Sequence, residues 1–256
     1  MIRASSKGSD VVCIHANASS SAQWRRLAEL LAPEFRVVTP DSAQDRERLA
    51  EEVALLEPAF ALVGHSYGAA VALIAALTYP DRIRALALYE PTLFSLLETE
   101  KTTEADGIRQ VVADAGAALD AGNPDAAAER FIDYWMGAGA WQRTPEARRP
   151  AIAASVTNVR RWAQALFNEP TPLSAFRSLE IPVLYMIGKR TTAAARGVAR
   201  LLTAALPRVE VVELADAGHM GPLTHTDQVN ATIRQFLRRT AAATGSASRR
   251  ALLASS

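Results

Sequence analysis

The feature that most constrains the fold of this chain is the pentapeptide Gly64-His65-Ser66-Tyr67-Gly68 together with the segments on either side of it. The apolar run Ala59–Val63 precedes it and predicts a buried strand. An alanine-rich apolar run over residues 69–77 follows and predicts a buried helix that ends before Pro80. A strand that turns at once into a helix needs glycines, because side chains at the turn would clash with the strand or the helix. The pattern G-x-S-x-G in this setting predicts a sharp turn that presents the Ser66 hydroxyl.

Strand and helix patterns alternate through the first ninety residues. Buried strands are predicted at Val11–His15, Phe35–Thr39, Phe60–Val63 and Ile83–Tyr89, with helices between them around Trp24–Leu31, at Asp45–Leu56 and at Tyr67–Tyr79. The pattern resumes near the end of the chain with strand Pro182–Ile187, helix Thr192–Ala205, strand Val209–Leu214 and helix Asp227–Arg239. This alternation predicts an α/β fold, a mostly parallel sheet of about six core strands with helices on both faces.

The region between the two parts of the predicted sheet has no strand pattern. It has helical patterns instead, at Gly107–Leu119, Asp125–Met136, Glu146–Asn158 and Arg160–Phe167. Ligands of open α/β sheets bind at the carboxyl ends of the strands, so we interpret residues 91–179 as a helical cap over such a site. The core then comprises residues 1–90 and 180–240, and the Ala, Ser and Arg-rich residues 241–256 are predicted to form a disordered tail.

Composition narrows the possible partners. The 28 basic and 27 acidic residues nearly balance, which gives no indication of a nucleic acid or a membrane surface as partner. The single cysteine, Cys13, excludes an internal disulfide and lies in an apolar run typical of the core. The chain begins without an apolar stretch of signal-peptide length, and it has neither a metal-binding spacing nor a dinucleotide fingerprint. We expect a cytoplasmic protein without a cofactor or metal, whose partner is a small-molecule substrate; the oligomeric state stays open.

Three motifs, in this order, resemble the α/β-hydrolase superfamily over about residues 10–240. They are the Ser66 pentapeptide, the loop Ile14–Ser19 after the first core strand, and Ala217-Gly218-His219-Met220 after the last strand, where the family carries its catalytic histidine. The sequence departs from the family pattern at Ala16, where glycine is common. It departs again at Gly188–Thr192, a loop in which many members carry the catalytic acid but which has no carboxylate here.

The resemblance implies a serine nucleophile at Ser66 and a general base at His219, with His225 as the reserve. Because the loop Gly188–Thr192 has no carboxylate, the acid that orients the imidazole must lie in another part of the chain. Glu90 is the first candidate, because it ends a predicted strand and a branch of the superfamily places its acid there. Asp216 is the second candidate, and a Ser–His dyad with water in place of the acid is the third possibility.

Two backbone N–H groups are expected to form the oxyanion hole. One belongs to Tyr67, directly after the nucleophile, and the other to Ala16 or Asn17. The side-chain amide of Asn17 could also contribute.

The predicted cap is rich in aromatic residues, among them Trp135, Trp141 and Trp162. Aromatic residues with this spacing more often pack in a protein core than line a substrate pocket. Some of them must nevertheless face the site, which favours an apolar group in the substrate. The resemblance therefore implies a serine hydrolase of a carboxylic ester, thioester or lactone that works through an acyl-enzyme. Two alternatives stay open: a cofactor-free perhydrolase or haloperoxidase-like enzyme that uses the same triad, and a ligand-binding protein on a hydrolase scaffold.

Overall fold

The computed structural model of the protein describes residues 9–40 and 60–254, with side chains up to residue 243. Its strands are β1 (Asp10–Ile14), β2 (Arg36–Val38), β3 (Phe60–His65), β4 (Ile83–Tyr89), β5 (Val183–Gly188) and β6 (Val209–Leu214). They form one six-stranded sheet in the order β2-β1-β3-β4-β5-β6, and every neighbouring pair is parallel. This confirms the predicted α/β class.

Helices of the described residues follow β1, β3, β5 and β6, and a long helical insertion follows β4. They are α1 (Arg25–Leu31), α2 (Tyr67–Thr78), α3 (Ser95–Thr99), α4 (Asp106–Asp120), α5 (Pro124–Met136), α6 (Ala140–Arg143), α7 (Arg149–Val156), α8 (Val159–Phe167), α9 (Ala193–Ala205), α10 (Gly221–Thr224) and α11 (Thr226–Ala254). No helix within the described part of the chain combines the length and the apolar character that a membrane crossing requires.

Helices cover both faces of the sheet because the inner strands β1, β3, β4 and β5 are buried on both sides. In β1, Val12 and Ile14 belong to the core that α2 and α9 cover, whereas Val11 and Cys13 belong to the core that α1 and α11 cover. Successive side chains of a strand point to opposite faces, so one continuous apolar run supplies both cores. Burial raises the pKa of the Cys13 thiol far above its usual range, in keeping with an unreactive core residue.

All the residues between β4 and β5 are described, and they form no strand. We call residues 91–179 the helical insertion; it contains α3 to α8 and the short 3₁₀ turns Thr103–Ala105, Glu146–Arg148 and Leu173–Ser178. The insertion has a small core of its own, in which Trp141 and Trp162 are buried with apolar residues of α4 to α8. Part of its aromatic content is therefore plain packing.

Two sequence-based expectations meet a different outcome, and a third is not tested. The predicted helix Asp45–Leu56 lies outside the described residues. The predicted helix Glu146–Asn158 is divided: a 3₁₀ turn comes first and α7 begins at Arg149, because Pro150 fits an α-helix only in its first turn. The last helix continues from Thr226 to Ala254, so the predicted disordered tail differs from the structure over residues 241–254. Alanine has the highest helix propensity, and the tail contains no proline to end the helix.

Candidate active site

Ser66 occupies a sharp turn between β3 and α2. Its backbone has a positive φ of 56°, a conformation that costs a non-glycine residue about 1–3 kcal/mol. A Cβ atom on Gly64 would lie 2.5 Å from the Cα of Ala69, and one on Gly68 would lie 2.4 Å from the carbonyl oxygen of Ile14. Both glycines are thus required by close backbone approach, and the second brings the start of α2 against the end of β1.

Strand register places Ser66 and Glu90 at the same edge of the sheet. His65 is paired with Tyr89 across β3 and β4, so the next residue of each strand emerges at the same level. The backbone N–H of Ser66 donates to the Tyr89 carbonyl over 2.9 Å, which fixes the serine relative to the end of β4. Two residues separated by a whole helix in the sequence are thereby neighbours.

The side chains of Ser66, His219 and Glu90 form one hydrogen-bonded chain. His219 Nδ1 lies 2.7 Å from Glu90 Oε2, and His219 Nε2 lies 3.0 Å from Ser66 Oγ. A carboxylate only accepts, so in the neutral ring Nδ1–H donates to Glu90 and Nε2 accepts from the serine hydroxyl. Glu90 and His219 are almost fully buried, and Ser66 is 7% exposed. The structure therefore brings together the three residues that the sequence nominates as nucleophile, base and acid.

Glu90 is held by donors from the loop that lacks a carboxylate. The Gly188 N–H donates to Oε1 over 2.7 Å, and the Thr191 hydroxyl donates to Oε2 over 2.6 Å. Burying a carboxylate is costly unless hydrogen bonds satisfy it, and these two donors join His219 in doing so. Glu90 itself has a positive φ of 44°, which nothing in the sequence indicated.

The other candidates from the sequence have partners outside the Ser66–His219–Glu90 chain. Asp216, the second candidate acid, is exposed and forms an ion pair with Arg190 at 2.9 Å. His225, the reserve base, has its Nδ1 within 2.9 Å of the Thr224 hydroxyl.

Two buried side chains fix the loop that carries His219. His65 Nε2–H donates to the His219 carbonyl over 2.8 Å, and the Tyr89 hydroxyl donates to the Gly218 carbonyl over 2.7 Å. Burial, reinforced by the nearby His219, holds the pKa of His65 well below its usual range, so this ring is neutral. Burial, with a smaller effect of Glu90, raises the pKa of Tyr89, which therefore stays a donor. The sequence gave no indication of this role for Tyr89.

The loop after β1 lies beside Ser66, and its two candidate donors differ. Both Ala16 and Asn17 line the same cavity as Ser66, but the Ala16 N–H donates to Gln23 Oε1 over 3.2 Å. His15 Nδ1–H donates to the Ala16 carbonyl over 2.7 Å. Tyr67 begins α2, whose positive end faces Ser66. The sequence did not predict the role of Gln23. Nothing in the residues around it indicates that its side chain accepts a hydrogen bond from Ala16, seven positions earlier.

An apolar cavity borders Ser66 and His219. Asn17, Ser66, Thr92 and His219 supply the polar side chains of its lining. The rest of the lining is apolar and comes mostly from the helical insertion: Ala16, Ala18, Phe94, Ile108, Val112, Phe131, Ile132, Trp135, Met136, Val159, Trp162, Ala163, Leu166, Phe167 and Met220. The indole of Trp135 stacks on the His219 imidazole, with ring centroids 3.9 Å apart and planes 29° apart. Trp135 was predicted to be one of the aromatic residues of the cap, but not a neighbour of the histidine.

The described residues were compared with the ligand sets that metal ions need. Within residues 9–40 and 60–243, no three His, Cys, Asp or Glu side chains converge as metal ligands would. The chemistry that can be derived at this site is that of its serine, histidine and glutamate.

The sequence was compared with protein families and with known proteins. The sequence profile described as "Alpha/beta hydrolase family" matches residues 11–232. The pimeloyl-[acyl-carrier protein] methyl ester esterase of Aliivibrio salmonicida (strain LFI1238) is 26% identical over 247 residues, 91% of this chain and 93% of that protein.

Solved structures give the same result for the fold. An alpha/beta hydrolase from Sphaerobacter thermophilus DSM 20745 has a TM-score of 0.69 at 24% identity, covering 92% of this chain and 95% of that one. The carboxylesterase CesB (YbfK) from Bacillus subtilis has a TM-score of 0.69 at 18% identity, covering 92% and 86%. At these identities the two likenesses show a shared fold.

Proposed function

The chain belongs to the alpha/beta hydrolase family, and on that premise we propose that it is a serine hydrolase that cleaves carboxylic esters through an acyl-enzyme intermediate. The observation that carries the proposal is the continuous hydrogen-bonded chain from Ser66 Oγ through His219 to Glu90. A serine hydroxyl is a weak nucleophile until a neighbouring base accepts its proton, and a base is held ready by a third group. In this proposal the turn at Ser66 is a nucleophile elbow and the three residues are a catalytic triad.

The first half-reaction forms the acyl-enzyme. Ser66 Oγ attacks the ester carbonyl carbon while its proton passes to His219 Nε2, and the imidazolium that forms is stabilised by the Glu90 carboxylate. The tetrahedral intermediate then expels the alcohol, which takes the proton from Nε2 as it leaves. In the second half-reaction a water molecule attacks the acyl-enzyme, gives a proton to Nε2, and releases the acid as Ser66 Oγ regains that proton.

The oxyanion of each tetrahedral intermediate is proposed to bind the backbone N–H groups of Tyr67 and Asn17. Of the two donors expected from the loop after β1, the Ala16 N–H already binds Gln23, which favours Asn17. Donors of this kind lower the barrier because they are oriented before charge develops. The partial positive charge at the start of α2 acts in the same direction.

The substrate is proposed to be an ester with an apolar acyl group; thioesters and lactones share the chemistry. The cavity beside Ser66 is lined mainly by apolar side chains and, among the described residues, by no Lys, Arg, Asp or Glu. A charged group placed there would lose its hydration without a compensating partner. The named activities of the Aliivibrio and Bacillus relatives, both esterases, agree with this choice of reaction.

Labelling with a fluorophosphonate probe tests the proposal directly, because the probe reacts only with an activated serine. We expect rapid labelling of the wild type, no labelling of Ser66→Ala, and strongly slowed labelling of Glu90→Gln. A p-nitrophenyl ester panel then measures hydrolysis by the same preparations. A folded wild type that neither labels nor hydrolyses any ester would contradict the proposal and favour a ligand-binding protein on this scaffold.

A further inference from the structure

A second open space lies at the edge of the sheet opposite to Ser66. It has a volume of about 640 Å³ and lies between the amino ends of β4, β5 and β6 and the helix α11. Ser66 follows the carboxyl end of β3, and the strands are parallel, so the two spaces lie at opposite ends of the strands. We call this space the basic groove, because Arg84, Arg208 and Arg239 line it. Its volume is within the range of pockets that bind small molecules.

Arg84 reaches the basic groove from an irregular position in the sheet. Phe60 pairs with Ile83 and Ala61 pairs with Ala85, so Arg84 is an extra residue of β4 relative to β3. A β-bulge of this kind changes the direction of a side chain and interrupts the regular pairing. The bulge thus gives a charged residue a place in a strand that is otherwise apolar up to Tyr89.

The guanidinium group of Arg84 is buried without a partner. Its three nitrogens are shielded from solvent, and none of them has a hydrogen-bond partner within residues 9–40 and 60–243. Burial lowers the pKa of Arg84, and the charge of Asp10 opposes this effect. Asp10 itself is occupied, because Arg36 donates to both of its carboxylate oxygens. A buried charge is costly unless it is paired, so Arg84 has donors that call for an anionic partner.

The carboxylates that line the basic groove do not supply that partner. Glu210 forms an ion pair with Arg239 at 2.5 Å. Glu180 forms no ion pair with a described residue, and only its backbone carbonyl accepts a hydrogen bond, from Arg208 Nη1 over 2.9 Å. Arg84 and Arg208 therefore line one groove without a carboxylate partner among the described residues.

The rim of the groove determines how an anion reaches Arg84. Arg208 and Arg239 are exposed, whereas Arg84 is partly buried beneath them and its nitrogens are covered. Long exposed side chains change rotamer readily, on a timescale of nanoseconds or less. A ligand that displaces the rim side chains thus gains the buried guanidinium, whose donors have no partner to give up within the described part of the chain.

We propose that the basic groove binds a phosphate group, free or as a phosphomonoester, with Arg84 as its main ligand and Arg208 as the second. A guanidinium donates to two oxygens of a phosphate at once. Two arginine charges without a carboxylate partner match a dianion better than a monocarboxylate. The site does not depend on the proposed ester hydrolysis, since it lies at the other end of the strands from Ser66.

Isothermal titration calorimetry of the full chain with inorganic phosphate tests this site, with sodium chloride keeping the ionic strength constant. Arg84→Met keeps an unbranched apolar side chain and removes the charge. Arg160→Met is the matched control, because Arg160 is an exposed arginine that pairs with Asp120 and does not line the basic groove. Titrations with glycerol 3-phosphate and with acetate distinguish a phosphomonoester from free phosphate and a phosphate from a carboxylate.

We expect saturable phosphate binding to the wild type and to Arg160→Met, and an affinity at least about tenfold lower in Arg84→Met, the effect of lost hydrogen bonds to a charged group. Tighter binding of glycerol 3-phosphate would identify a phosphomonoester as the ligand, and tighter binding of inorganic phosphate would identify the free ion. Acetate that binds as tightly as phosphate, or an equal affinity in Arg84→Met, would overturn the proposal, as would the absence of binding.

Thermal unfolding gives a second and independent readout. Without phosphate, Arg84→Met should unfold at the temperature of the wild type or above it, because the variant loses an unpaired buried charge. Phosphate should then raise the unfolding temperature of the wild type more than that of the variant. Arg208→Met, at the exposed rim, should fold normally and weaken phosphate binding about fivefold. A large loss of stability in Arg84→Met without phosphate would show that Arg84 already has a partner in the chain, and would contradict the site.

Discussion

The Thr191 hydroxyl donates a 2.6 Å hydrogen bond to Glu90 Oε2, the same oxygen that accepts from His219 Nδ1. Many members of the family are expected to carry the catalytic acid in the loop Gly188–Thr192. Here that loop has no carboxylate and instead donates a hydrogen bond to Glu90, which follows the neighbouring strand β4. In this structure the carboxylate follows β4, and the loop after β5 supplies donors that hold it. In the proposed triad Thr191 is a positioning residue, since it acts on the histidine only through Glu90.

Replacing Thr191 by valine keeps the shape of the side chain and removes the donor. We expect kcat for ester hydrolysis to fall about tenfold with little change in KM, because a hydrogen bond to a charged group is lost beside the base. Thr191→Ser keeps the hydroxyl and should restore most of the activity. Wild-type kcat in Thr191→Val would show that Glu90 needs no support from this loop.

Glu90→Gln tests the acid. A glutamine at this position accepts less well from Nδ1–H and can turn its NH₂ group toward the ring, which favours the wrong tautomer of His219. We expect kcat to fall by a factor on the order of 10³, measured by steady-state hydrolysis. Asp216→Asn is the matched comparison and should cost far less, since that carboxylate binds Arg190. The reverse order of the two losses would transfer the role of acid to Asp216.

Gln23→Leu tests the loop after β1. The substitution removes the acceptor for the Ala16 N–H, so the loop that presents Asn17 loses one of its buried restraints. We expect slower acylation, about fivefold to tenfold in kcat, because an oxyanion donor must be oriented before the reaction. The rate of fluorophosphonate labelling reports the same step, and a thermal unfolding curve identifies any loss that comes from misfolding. Unchanged labelling would remove Gln23 from the site.

The buried neutral His65 predicts a pH dependence of stability. Its pKa in the folded protein lies below the unfolded value of about 6.5, so the unfolded state binds more protons at low pH. The stabilisation is therefore fully present above about pH 6.5 and is lost as the pH falls below it, by at most about 1.4 kcal/mol per pH unit.

Urea unfolding of wild type and His65→Gln, at intervals between pH 7.5 and pH 5, measures this contribution. Glutamine can still donate to the His219 carbonyl but does not titrate, so its stability should fall less steeply with acidity. Parallel curves for the two proteins would mean that the acid sensitivity comes from other groups.

Local patterns predicted the fold and two of the three proposed catalytic residues because their signals lie within a few positions of one another. Ser66 is marked by its glycines and by the apolar segments on each side. His219 is marked by the loop after the last strand. Glu90 could be found once parallel strands were predicted, because the carboxyl ends of neighbouring strands meet at one edge of the sheet.

The residues that surround the site were not predictable in the same way. Thr191 lies 101 positions from Glu90 in the sequence, and nothing in its own neighbourhood marks it as a partner. Trp135 looks like any aromatic residue on a packed helix, and only the arrangement of the insertion over the sheet brings it onto His219. Such contacts depend on how elements pack in three dimensions, which helical and strand periodicity does not encode.

The backbone at Ser66 and Glu90 has a consequence for the engineering of this protein. Both residues follow neighbouring strands and both have positive φ, of 56° and 44°, where glycine would be unstrained. A substitution that relieves such strain raises thermal stability where the replaced side chain makes no essential buried contacts; at Glu90 the lost hydrogen bonds to Gly188, Thr191 and His219 oppose the gain. A library selected for heat resistance alone would therefore be drawn toward glycine at Ser66, and its most stable members would lack the proposed nucleophile. Any search for a more robust form of this protein has to screen for turnover at every round.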